Sequence, residues 1–426
     1  MILIDKALQK RQKEGNPIRV GIVGVGAMGA GIINQIMLHT SGMEVNAIYN
    51  RHPEKGLNIL SKIGASLNNI LDNDRQRFRE GHIRLTGNLE VFLETPNDIV
   101  VEATGSISFG LQLCKSAFEY GKHVLSFNAE LDATFGPYLK KLAKSKGVIY
   151  SGSDGDQPGV IMNLYRYVKN IGLKPLVCGN IKGLQDRYRN PATQQQYAAT
   201  YGLSPEMATS FADGTKISFE QATVANATGM RVNKRGMNGF SFHGHIDKAV
   251  DFYDFNELRK GDGIVDYFVG AQPAPGVFVY AYSEDPLVKH HLNYYKLGHG
   301  PIYSFYTPYH LCIFEVPISI CRIVDFEDII IEPKSGISVE VITMAKTALF
   351  EGTVLDGIGG YHTYGVCENS ELARLGKLLP MGLAQGCRLI RDISQDQPIL
   401  ISDVEVLDED LFNTYELQFS LNIVGG

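Results

Sequence analysis

The chain has no tryptophan, and its six cysteines, Cys114, Cys178, Cys312, Cys321, Cys367 and Cys387, form no CxxC pair. That spacing excludes a zinc ribbon and a redox dithiol, and it reads as a set of reduced thiols. No run of about 18 apolar residues is present, so no membrane-spanning helix is expected. A basic surplus is also missing: 40 Lys and Arg stand against 46 Asp and Glu, a net charge of -6, which leaves no electrostatic footprint for nucleic acid or an anionic membrane. The opening stretch MILIDKALQKRQKEG lacks the apolar core and cleavage site of a secretion signal, which sets a cytoplasmic expectation. What remains is an ordinary globular composition, 44% hydrophobic and 20% charged, in a 426-residue chain long enough for two or three domains. A small molecule is the expected partner.

Glycine is plentiful, and its placement is informative. After a short helical segment stopped at Gly15-Asn16-Pro17, the apolar run Ile18 to Val23 leads into Gly24-x-Gly26-x-x-Gly29 and then an apolar helical pattern to Leu38. Val45 to Tyr49, Asp98 to Gly105 and Lys122 to Asn128 read as further buried strands, with a helical stretch from Phe109 to Tyr120 between the last two. Strand and helix alternate as in a parallel doubly wound sheet. The reading is therefore α/β, with a Rossmann domain over residues 1–154, an α+β substrate domain over 155–335 and a small β-rich module over 336–426. In the middle part Pro205–Ala212 and Ser218–Ala227 are expected helices, and Val277–Tyr282 and His310–Val316 expected strands.

The glycine loop carries the most specific chemistry. Gly24 allows a tight turn, Gly26 lets backbone approach a pyrophosphate and Gly29 permits close helix–strand packing, with Ala27 and Met28 completing the loop. Where an NAD-selective domain carries an acid at the end of its second strand, this chain has Asn50 and Arg51, with Lys55 nearby. Arg51 can clamp a 2′-phosphate bidentately, so NADP is the expected cofactor. Ala103-Thr104-Gly105 and Asn128 end later strands at the edge where an open α/β sheet binds its ligand.

Further along, Asp154 and Asp156 flank a glycine in an Asx-rich turn. Lys182 ends a strand-like run, and Asp213-Gly214-Thr215-Lys216 precedes a helix that carries Glu220. A buried lysine suits carbonyl polarisation or proton donation, and acids beside it suit proton relay or hydroxyl binding. Lys182, Lys216, Asp156, Asp213 and Glu220 are thus the candidate catalytic residues. Arg231, Lys234 and Arg235 read as solvated charge, and Tyr303–Tyr309 as core or subunit contact. The turn Gly270–Gly276 reads equally as a rigid turn or as a cover for the ligand. The histidines His243, His245, His290 and His291 lack ligand spacing, so no metal residues are assigned, and a divalent cation is left open without support.

With these motifs assembled, the chain resembles the homoserine dehydrogenase-like oxidoreductases that carry a C-terminal SAF domain, and within them the deoxyxylulose-5-phosphate reductoisomerase-like group. The resemblance rests on GVGAMG, EATG, GKHVLSFNAELD, SGSDGDQPG, DGTK, GAQPAPGVFVY and, in the tail, AKTALFEGTVLDGIGG, LLPMGLAQG and RLIRDI. The chain departs from homoserine dehydrogenase itself at Ala129, where that family has a lysine, and at Lys182-Gly183-Leu184, where it has an asparagine-glycine-threonine turn.

The resemblance implies NADPH-dependent reduction of a sugar-derived carbonyl, with a carbon-skeleton rearrangement before the hydride step in the reductoisomerase-like members. Two alternatives are carried beside it: a homoserine dehydrogenase-like or polyol/sugar-acid dehydrogenase without rearrangement, and a non-enzymatic NADP(H) sensor. The substrate is expected to be small, with a phosphorylated one included, and a homo-oligomer is the ordinary expectation for such enzymes.

Overall fold

A computed structural model describes residues 2–334 and 336–420. Contacts divide the chain into two units, the first built from 1–132, 138–156 and 311–332, the second from 133–137, 157–310 and 333–426.

The first unit is a seven-stranded sheet. Its strands are β1 (Ile18–Val23), β2 (Met43–Tyr49), β3 (Ile70–Leu71), β4 (Ile83–Thr86), β5 (Ile99–Glu102), β6 (His123–Ser126) and β7 (Tyr150–Gly152), in the order β3-β4-β2-β1-β5-β6-β7. All pairings are parallel. Without the short edge strand β3 this is the doubly wound dinucleotide-binding order, which reverses direction between β1 and β5.

The strands are apolar on both faces because helices cover both faces. β1 and β5 are buried almost throughout. The covering helix Ala27–His39 buries Gly29, Ile32, Ile33 and Ile36, one stripe at helical spacing. Registers place Thr86, Tyr49, Val23, Glu102, Ser126 and Gly152 side by side along the carboxyl edge.

One expectation is overturned here. His310–Val316 is not a strand: the helix Cys312–Phe326 begins inside it. Its isoleucine, phenylalanine and valine made the segment look extended, but Val316, Ile320 and Ile323 fall at i, i+4 and i+7 and are buried along one face. Burial of that stripe outweighs the strand preference of β-branched side chains. Within the first unit, Ile313 packs against Gly31 and Arg11 pairs with Asp325 at 2.5 Å.

The second unit contains a five-stranded sheet of β8 (Lys174–Lys182), β9 (Phe240–Ser241), β10 (Ile264–Val269), β11 (Gly276–Tyr282) and β12 (Ile302–Thr307), ordered β12-β11-β8-β10-β9. β8 runs parallel to β10 and antiparallel to β11. One face of this sheet builds an aromatic core around Val177, Ile181, Phe268, Phe278 and Tyr280. The same unit contains a β-ribbon of β13 (Val339–Ala345) and β14 (Thr363–Asn369), a small strand pair formed by Arg388–Leu389 and Val404–Glu405, and a closing helix Glu409–Ser420. No helix among the described residues is long and apolar enough to cross a membrane.

Candidate functional site

The glycine loop sits where β1 leaves the sheet. Gly24 has φ +94°, and a side chain there would strike the Ala103 carbonyl oxygen at 2.7 Å. Gly29 lies against the Gly24 carbonyl so closely that a Cβ would come within 1.9 Å of it. Gly26 is different: a Cβ would meet nothing within 4 Å, and Gly26 caps the helix without a side-chain hydrogen bond. Two glycines are thus required by the protein's own packing, while the third leaves open space before a helix start whose N–H groups point outward. That cradle fits the pyrophosphate of a dinucleotide.

The other expected cofactor positions line the same edge. Asn50 follows β2 and its Oδ1 accepts from the His52 N–H at 2.9 Å, while Arg51 and Lys55 are exposed and Met28 is 40% exposed. Ala103, Thr104 and Gly105 follow β5, and the Thr104 N–H donates to Glu102 Oε1 at 2.8 Å, with the Thr104 hydroxyl on the same oxygen. Glu102 opens the EATG motif. Burial raises its carboxyl above the usual range, and the Thr104 and Asn128 bonds oppose that rise. Asn128 caps the helix Ala129–Ser145 by accepting from the Leu131 N–H at 3.0 Å, and its amide donates to the Ser106 carbonyl at 3.2 Å. Its side chain braces the floor of the edge.

The acid-rich turn after β7 is also tied down. Asp154 pairs with Arg322, which holds Asp328 at 2.6 Å through its other nitrogen, and the Asp154 N–H donates to Ser319 Oγ at 2.9 Å. Asp156 Oδ1 accepts from the Cys312 thiol at 3.8 Å. Both aspartates belong to the first unit, and the other four candidate catalytic residues belong to the second.

Those four are brought together. Side chains alternate along a strand, so Asn180 and Lys182 of β8 share a face. That face meets the helix Thr215–Thr228: Asn180 Nδ2 donates to Glu220 Oε2 at 3.1 Å, and Gln221 Nε2 donates to Asn180 Oδ1 at 2.7 Å. The Lys182 ammonium donates to the Phe211 carbonyl at 2.7 Å, at the end of the helix Pro205–Asp213.

Gly214, at φ +93°, is both the end of that helix and the start of the next, and it abuts the Gln185 amide. Asp213 beside it is buried and accepts from the Thr215 N–H at 2.9 Å. Lys216 opens the second helix and is half-buried.

Desolvation pulls the Lys182 ammonium below the ordinary lysine range, while Glu220 and Asp213 pull it back. Burial raises the Asp213 carboxyl, opposed by Lys346 and Thr215. A lysine whose proton is loosened by burial, under the influence of two carboxylates, is a competent acid for an alkoxide forming near neutral pH. Sequence reasoning missed Asn180 and Gln221; the signal for Asn180 was its position two residues before Lys182 on one strand.

Arg231 and Arg235 pair with Glu371 and Glu368 at 2.9 and 2.7 Å. His245 sits 3.1 Å from Asp247, and among the described residues no three His, Cys, Asp or Glu side chains group as metal ligands. Gly270–Gly276 is the turn joining β10 to β11.

Against this geometry, comparisons with known proteins are specific in two regions. Residues 24–151 match the homoserine dehydrogenase NAD-binding domain, and residues 155–316 match the catalytic domain of the oxidoreductase DRL. Both matched models are domains of oxidoreductases, the first of them nicotinamide-binding. Homoserine dehydrogenase of Pseudomonas aeruginosa is 29% identical over 133 residues, 31% of this chain and 28% of that relative's length. The chain thus spans under a third of the curated relative it matches. A probable dehydrogenase from Thermotoga maritima (11% identity, TM-score 0.43) and apo scyllo-inositol dehydrogenase from Lactobacillus casei (13%, 0.43) are similar solved structures, each covering 75% of this chain and matched over 92% of its own.

Proposed function

We propose that the protein is an oxidoreductase that reduces the carbonyl of a small sugar-derived substrate with NADPH, as a cytoplasmic homo-oligomer. The observation that carries this reading is the second-unit cluster, in which the Lys182 ammonium bonds the Phe211 carbonyl two residues before Asp213, while Asn180, on the same face of β8, bonds Glu220. The nicotinamide cofactor, when bound, supplies hydride. As the carbonyl carbon accepts that hydride, its π pair moves to oxygen, which takes a proton from Lys182 Nζ or Lys216. Asp213, Glu220 and Asp156 orient hydroxyls or return the proton from water. Arg51 and Lys55, in place of an acid at the end of β2, support NADP over NAD.

The resemblance of the motifs to the reductoisomerase-like group supports deoxyxylulose 5-phosphate as substrate, with a retro-aldol/aldol shift giving the aldehyde that is reduced to methylerythritol 4-phosphate. The second reading, a polyol or sugar-acid dehydrogenase without rearrangement, rests on the same lysine and acids.

The test is NADPH oxidation with deoxyxylulose 5-phosphate, with and without magnesium or manganese, beside homoserine plus NADP and a panel of polyols and sugar phosphates. Formation of methylerythritol 4-phosphate supports the first reading. Turnover only of an unrearranged alcohol supports the second, and no turnover by a protein that binds NADPH overturns both for the panel. Lys182→Met is expected to lower kcat by about 10²- to 10⁴-fold with unchanged NADPH affinity; Lys216→Met is expected to cut turnover in the same pattern, and a normal rate removes that residue from the mechanism.

A further inference from the structure

The turn Phe211–Thr215 is gripped by two lysines from distant parts of the chain. Lys182 holds its start through the Phe211 carbonyl. Lys346, which follows β13, holds its centre: the ammonium lies 2.9 Å from Asp213 Oδ2, and it also donates to the Arg189 carbonyl at 2.8 Å and the Gly360 carbonyl at 2.7 Å. Only 2% of the Lys346 side chain and none of the Asp213 side chain reaches solvent. All three ammonium hydrogens are therefore committed inside the protein. β14 adds to the grip, since the Gly365 N–H donates to Thr215 Oγ1 at 2.9 Å and Ser218 Oγ donates to the Gly365 carbonyl at 3.1 Å.

We propose that Lys346 is a positioning residue of the reduction site: by holding Asp213 it fixes the turn against Lys182, and the segment after residue 333 is thereby part of that site. The inference rests on the proposed role of Lys182, and its consequence is electrostatic as well as geometric. Asp213 is paired with Lys346 and acts on a second cation, Lys182. Removing Lys346 leaves the Asp213 carboxylate to Lys182 alone, and also removes a like charge from its surroundings, so the lysine holds its proton more tightly. Glu220 and Asp213 act on Lys182; Tyr267, on the adjoining strand β10, accepts from Gln185 at 2.7 Å, and burial pushes its hydroxyl up to about 12, leaving it neutral.

The experiment measures the pH midpoint of acetic anhydride labelling at Lys182 by mass spectrometry in the full chain, together with the pH profile of NADPH oxidation. In Lys346→Met the labelling midpoint is expected about one pH unit higher, a ten-fold loss of reactivity at fixed pH. The double variant Lys346→Met/Asp213→Asn returns it towards the wild-type value, and Lys346→Arg keeps it there. A midpoint unchanged or lowered in Lys346→Met overturns the proposal. Should that variant not fold, the double variant and Lys346→Arg decide alone: a midpoint displaced by a full unit in either overturns it. If the midpoint moves as expected while no carbonyl substrate is reduced, the coupling stands and the catalytic reading of Lys182 fails.

Discussion

A 2′-phosphate brings about 1.5 to 2 negative charges near neutral pH, and the side chains that follow β2 decide whether those charges are welcomed. Arg51 and Lys55 are exposed there, free of the acid that would hydrogen-bond an NAD ribose. Arg51→Glu is expected to weaken NADPH binding by about ten- to a hundred-fold, since one close charge pair is replaced by a repulsion, and to leave NADH affinity within a few-fold. Fluorescence titration with both cofactors checks this; equal losses for the two cofactors would remove Arg51 from the phosphate site.

At the same scale, Asp266 accepts from the Asn238 and Gly239 N–H groups at 2.9 and 3.0 Å, from the Asn238 side chain at 2.7 Å and from the Tyr253 hydroxyl at 3.0 Å. Asp266→Ala strands several buried donors at once and is expected to cost about 3 kcal/mol or more, read from denaturant unfolding.

Elements show why the glycine loop was so readable. A strand of β-branched residues, a glycine triplet and an apolar helical stripe each follow from local periodicity, and β1 begins and ends at the residues its sequence indicates, Ile18 and Val23. The three glycines now separate by function. Gly29→Ala drives a methyl into the Gly24 carbonyl and is expected to lower Tm by several degrees, whereas Gly26→Ala meets open space, keeps its Tm and loses cofactor affinity.

The seam between β1 and β5 depends on a longer-range pair that no local pattern reveals. Asp98 accepts from the Arg19 N–H at 2.8 Å and from its guanidinium at 2.5 Å. Burial would raise the Asp98 carboxyl, but these bonds outweigh it and hold the group below its ordinary value. Its stabilisation is therefore present above the unfolded-state pKa near 3.9 and disappears as pH falls through the lower folded value. Asp98→Asn is expected to lose about 1 kcal/mol at neutral pH and to converge with the wild type in acid; a gap that persists at the lowest pH would contradict the linkage.

On the scale of the whole molecule, sequence and structure agree least where distant segments meet. Lys182, Asp213, Lys216 and Glu220 were each legible as charges placed beside a turn or a strand end, yet their gathering depends on β8 lying under the helix Thr215–Thr228. Lys346 carried one faint signal, a cation closing the buried run Val339–Ala345. Its partner Asp213 lies 133 positions away, and no periodicity reaches that far. The misread segment His310–Val316 failed for a related reason: its first residues carry strand-like side chains, and the helical stripe becomes visible only with Ile320 and Ile323 included.

The first unit's discontinuity has a bearing on the protein's birth. The helix Cys312–Phe326, which packs its Ile313 on Gly31 and its Asp325 on Arg11, belongs with strands made some two hundred residues earlier. At a synthesis rate of about 5–20 residues per second, the nascent dinucleotide-binding sheet waits on the order of ten seconds or more for its last helix. Until the ribosome delivers it, the apolar flank of Ala27–His39 is uncovered, a surface on which a holding chaperone would find its footing.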